Sequence, residues 1–128
     1  MLLKFIKLYW KSIFIFCLIF YVSTMRIPKI PCSLIFPQED KLVHIIMYFT
    51  LSSVIYFDIF RAQIQINRFF LLLIILAFPI VYGGIIEILQ GAFFAPRTAS
   101  WLDFFADAVG SILAFFLTPI LLRKTKLL

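Results

Sequence analysis

Four stretches of this sequence are apolar over nearly the thickness of a membrane, and that repetition leaves the chain very few folds. They run over about residues 8–25, 38–60, 69–90 and 101–122. Roughly 20 helical residues cross the hydrocarbon core of a bilayer. In lipid every backbone N–H and C=O must find its partner within the protein, which leaves helices or closed barrels. The alternating pattern of barrel strands is absent. The sequence therefore reads as all-α, an integral membrane bundle of four transmembrane helices forming a single domain over 1–128. Composition agrees: 64% of the residues are hydrophobic and 14% charged, with a mean hydropathy of +1.10. A soluble fold of this size could not hide so much apolar surface.

The connections read as follows. Residues 26–37 carry Pro28, Pro31 and Pro37 and make a loop. The second helix begins near Pro37, with Glu39 and Asp40 in a first turn where the helix dipole favours anions. Residues 58–68 form a short polar connection, and residues 91–99, with Pro96 and Arg97, form the last turn. Pro79 and the Gly83-Gly84 pair mark a place in the third span for a kink or a close helix approach. Lys4, Lys7 and Lys11 ahead of an apolar run resemble a signal peptide, but Ser23-Thr24-Met25-Arg26 is a poor cleavage site. The first helix is therefore expected to be retained. Cys17 and Cys32 match no disulfide framework, metal or redox spacing.

The formal charge of +6 comes from cations beside the apolar spans, a topology signal rather than a nucleic-acid surface. No nucleic-acid partner is expected. With the N-terminus inside, the inner face holds Lys4, Lys7, Lys11, Arg61, Arg68, Arg123, Lys124 and Lys126. The other face holds Arg26, Lys29, Lys41 and Arg97. Eight against four predicts cytoplasmic N- and C-termini.

That orientation gathers the ionisable residues. Asp40, Lys41 and His44 open the second helix, Glu87 and Gln90 close the third, Arg97 lies in the turn, and Asp103 and Asp107 open the fourth. All fall at the outer face. Asp40/His44 and Asp103/Asp107 are spaced i,i+4 and Glu87/Gln90 i,i+3, so each pair shares one helix face. At about 1.5 Å per residue, His44, Glu87 and Asp107 sit roughly 6–10 Å inward and can form one buried layer. Asp40, Gln90, Arg97 and Asp103 form a rim above it. Lys41 and Arg97 set two positive charges against four carboxylates, a net of two negative charges if His44 is neutral. A protonated His44, a protonated carboxylate or a bound cation would each relieve that imbalance.

Plainer readings stand beside these. Ser100-x-x-Asp103 is a capping-box pattern, so Asp103 can serve backbone N–H groups alone. Asp40 can be a dipole partner, Gln90 interhelical glue and Arg97 a lipid-phosphate contact. The trio of His44, Glu87 and Asp107 is harder to explain structurally, because ionisable groups inside a membrane are costly. No H-E-x-x-H, G-x-S-x-G or Walker loop is present, and no spacing is diagnostic of a metal site. No catalytic residue, metal or cofactor is assigned.

Asp40-Lys41-x-x-His44-x-x-x-Tyr48, then Glu87-x-x-Gln90, then Pro96-Arg97 with Ser100, Asp103, Asp107 and Gly110 occur in that order. From Asp40 onward, about two-thirds of the chain, the sequence resembles the VanZ-like family, named for a teicoplanin-resistance membrane protein. The family usually carries Asn where this chain has Asp107. The resemblance implies a role in the cell envelope, in a bacterial plasma membrane. In some relatives it also implies low-level resistance to teicoplanin-type glycopeptides. It supplies no established reaction.

Three functions compete. The leading expectation is an envelope protein binding an anionic lipid-linked or cell-wall ligand. Its site comprises Asp40, Lys41, His44, Tyr48, Glu87, Gln90, Arg97, Ser100, Asp103 and Asp107. The second is a metal-assisted hydrolase or transferase acting on such a ligand. The third is a structural bundle whose polar cluster is interhelical glue. Membrane lipid is the expected environment in all three, and the oligomeric state is left open.

Overall fold

The computed structural model describes residues 1–25, 39–95 and 98–125. Its helices, in chain order, are α1 (Leu2–Thr24), α2 (Glu39–Arg61), α3 (Arg68–Phe93) and α4 (Trp101–Lys124). Four helices are long and apolar enough to cross a membrane. No strand occurs among the described residues. The architecture is therefore all-helical and of membrane type, as the four apolar stretches require.

The helices overrun the expected boundaries. α1 begins at Leu2 rather than near residue 8, so Lys4 and Lys7 lie within it. Residues 58–61 are the last turn of α2, Arg68 opens α3, and α3 continues through Gly91 to Phe93. The reason is that apolarity stops at the membrane edge while backbone hydrogen bonding does not, and Lys and Arg are good helix formers. What remains of the 58–68 connection is a tight link. Gln63 takes φ 53°, and the Asn67 side chain caps α3 by accepting the Phe70 N–H at 2.9 Å. The proline loop at 26–37 with Cys32, the Pro96-Arg97 pair and Lys126 lie outside the described residues. Cys17 is an exposed free thiol on α1.

The α2–α4 seam is the most extensive of the bundle. Gly110 makes it possible: a methyl added there would overlap the Ile45 carbonyl oxygen and stand 3.0 Å from the Phe49 nitrogen. Small residues permit this kind of backbone approach between membrane helices. Further along the seam the Ser53 and Thr118 hydroxyls share a hydrogen bond at 2.8 Å. Tyr48, Leu51, Ile75 and Ile86 fill the centre almost without exposure.

α1 lies at the periphery, with only Ile19 and Ser23 buried. It is fastened to α3 by the Tyr82 hydroxyl, which donates to the Phe16 carbonyl at 2.8 Å, and by stacking of the two rings at 4.1 Å. α3 itself contains a π-helical turn at Leu73–Ala77, in which Phe78 N–H reaches back to the Leu73 carbonyl. Pro79 follows directly. A proline ring clashes with the carbonyl four residues earlier and offers that carbonyl no N–H; a wider turn ahead of it relieves both. The distortion thus sits before Pro79, and Gly83-Gly84 stay in regular helix.

Candidate functional site

The end of the bundle where α3 finishes and α4 begins collects the polar residues. His44, Glu87 and Asp107, from three different helices, are 4%, 5% and 1% exposed. One donor atom from each lies within 4.8 Å of the others. Sequence spacing had placed these three in one layer, and they do come together. His44 Nδ1 and Asp107 Oδ1 are 2.8 Å apart, the one ion pair among the described residues. Gly83 on α3 leaves the room: a Cβ there would stand 2.6 Å from Asp107 Oδ2.

Glu87 is held differently. Its Oε2 accepts the backbone N–H of Ser100 at 2.8 Å, tying the end of α3 to the start of α4. Its Oε1 is buried and has no hydrogen-bond partner among the described residues. The expected capping box is therefore only half formed. The Ser100 hydroxyl accepts from Asp103 N–H at 3.4 Å, but the Ser100 N–H goes to Glu87 rather than to Asp103. Asp103 is itself buried, on the face of α4 it shares with Asp107.

The remaining residues divide. Tyr48, one turn beyond His44 on α2, is 1% exposed. Its ring lies 6.3 Å from that of Tyr82, and its hydroxyl has no hydrogen-bond partner among the described residues. Gln90 turns away from the trio and donates to the Ser23 carbonyl of α1 at 2.7 Å, which is the interhelical-glue role. Asp40 is exposed at the start of α2 and Lys41 is half-buried. Arg97 falls outside the described residues.

A pocket of about 260 Å³ lies between α3 and α4. Gly84, Ile88, Trp101 and Phe104 form its apolar walls, and Glu87 and Ser100 its polar end. Ile88 and Trp101 are largely exposed, so the groove opens at the surface of the bundle.

A fourth buried carboxylate escaped the sequence reading. Asp58 was assigned to a connection, yet it is fully buried in α2. It accepts the Ser12 hydroxyl at 2.6 Å and the Ser12 backbone N–H at 3.2 Å. That N–H is available because α1 leaves helical geometry at Tyr9, with φ −108° and ψ 15°. The available signal was spacing: Asp58 follows His44 by 14 residues, close to four turns, which returns it to the same face of α2. α1 also contributes more than packing, through Ser12 and through the carbonyls of Phe16 and Ser23.

Fold and site together define a class: a multi-pass membrane protein with a buried His–carboxylate cluster near one end. Comparison with known proteins goes no further, since no family model, curated protein or solved structure matches the chain.

Proposed function

We propose that this is a VanZ-like envelope protein of the bacterial plasma membrane that binds an anionic lipid-linked or cell-wall ligand, with both termini cytoplasmic. The observation that carries the reading is the apolar groove between α3 and α4 that ends at buried Glu87. A polyprenyl chain suits walls of Gly84, Ile88, Trp101 and Phe104, with its head at the polar end. There Glu87 and Ser100 receive ligand hydroxyls, while Lys41 and Arg97, the cations that the charge count assigns to the same membrane face, supply positive charge for the anion. Ligand sites commonly combine apolar walls with a few convergent polar groups. In a cell such a site would act on wall precursors, and reduced susceptibility to teicoplanin-type drugs is the expected consequence of high expression.

The chain has two tryptophans, Trp10 and Trp101. Trp10 is exposed on α1, so Trp10→Phe leaves Trp101 in the groove as a single reporter. A long-chain polyprenyl phosphate should shift its emission saturably, and the corresponding uncharged polyprenol should do so at least tenfold more weakly. Equal responses to both, or none to either, would remove the proposal.

A further inference from the structure

We infer that His44, Glu87 and Asp107 form a binding site for one divalent transition-metal cation. Three separate helices deliver one nitrogen and two carboxylate donors to within 4.8 Å of one another. Donors at about 2.0–2.2 Å from such an ion stand roughly 3–3.6 Å apart. The 2.8 Å between His44 Nδ1 and Asp107 Oδ1 is already near that spacing. The widest separation in the trio closes by on the order of 1 Å, within reach of side-chain rotation.

Charge argues the same way. One neutral imidazole and two carboxylates offset a dication completely, which suits a low-dielectric interior. The imidazole favours transition ions over magnesium or calcium, whose sites are built from oxygen.

One carboxylate of the trio also has an oxygen free to coordinate. Glu87 Oε1 is buried without a hydrogen-bond partner among the described residues, as are the Tyr48 hydroxyl one turn beyond His44 and, elsewhere in the bundle, Ser23 Oγ, Ser52 Oγ and Asp58 Oδ1. Buried polar atoms are nearly always satisfied, and exceptions call for an ion or a water. The hydrogen bond from Ser100 N–H to Glu87 Oε2 orients this carboxylate and leaves Oε1 to coordinate. Glu87 also borders the groove, which gives an ion a way in and leaves coordination positions open to a ligand. The site shares Glu87 with the lipid proposal, but the ion needs no lipid to bind, so either can fail while the other stands.

The test uses the full chain, purified in detergent, stripped by chelator and free of added polyprenyl lipid. Titration with Co2+ should give visible bands of nitrogen and carboxylate ligation at one ion per chain. Mn2+, followed by loss of the free-ion resonance, should bind with the same stoichiometry, and Mg2+ should not displace it. Glu87→Gln and Asp107→Asn should each weaken binding at least tenfold, whereas Asp58→Asn, which changes a buried carboxylate at the other end of the bundle, should not. If those two variants fail to fold, the wild-type Co2+ spectrum decides alone. A spectrum of a solvated ion, no binding by the wild type, or binding unchanged in both folded variants would overturn the inference.

Discussion

The two ends of the bundle each bury carboxylates, and they use them in opposite ways. At one end Asp58 meets two donors from a single residue, Ser12, and fastens α1 to α2. At the other, Glu87 and Asp107 share a layer with one histidine and adjoin a groove. A carboxylate that closes an interhelical contact is a latch. Both ends leave one buried carboxylate oxygen without a partner among the described residues, Asp58 Oδ1 and Glu87 Oε1. What sets the second end apart is the convergence of donors from three helices beside a groove. The contrast separates a structural polar site from a functional one within the same short chain.

Substitutions can break that contrast, and the largest effect is expected at the latch. Asp58→Ala removes two hydrogen bonds and strands the Ser12 hydroxyl. It should cost about 2–4 kcal/mol of stability, read as a lower melting temperature in detergent, with ligand and cation binding retained by the folded fraction. Gly83→Ala places a methyl against Asp107 Oδ2. It should cost about 1–3 kcal/mol through overpacking and weaken cation binding as the carboxylate moves. Tyr82→Phe loses one hydrogen bond to the Phe16 carbonyl, so a loss of about 1 kcal/mol with normal binding is expected from the same melts. Glu87→Gln keeps an oxygen for the Ser100 N–H. Its melting temperature should change little while binding is lost; a collapse in stability with binding intact would make the trio glue after all. The smallest effect belongs to exposed Asp40: Asp40→Asn should leave both melting and binding within error.

Side-chain patterns made much of this legible. Four apolar spans gave the helix count, and the i,i+4 spacing of Asp103 and Asp107, with His44 one turn beyond Asp40, gave the buried layer. What stayed hidden was mostly backbone chemistry. The Phe16 and Ser23 carbonyls and the Ser100 N–H take part in the interhelical contacts without any sequence signature. Gln90 resembled a site residue because it shares a face with Glu87, yet it reaches α1 instead. Asp58 was hidden by its place near the end of an apolar run, where a charge reads as a boundary. The π-turn was foreshadowed only by Pro79, and its position ahead of the proline follows from which carbonyl the ring displaces.

The most direct measurement is a polyprenyl phosphate binding isotherm, read from Trp101 in the Trp10→Phe background, for Glu87→Gln beside Asp58→Asn. The account predicts that Glu87→Gln lowers affinity at least tenfold at a nearly unchanged melting temperature, and that Asp58→Asn lowers the melting temperature at unchanged affinity. The reverse pattern, or two variants that behave alike, would contradict it.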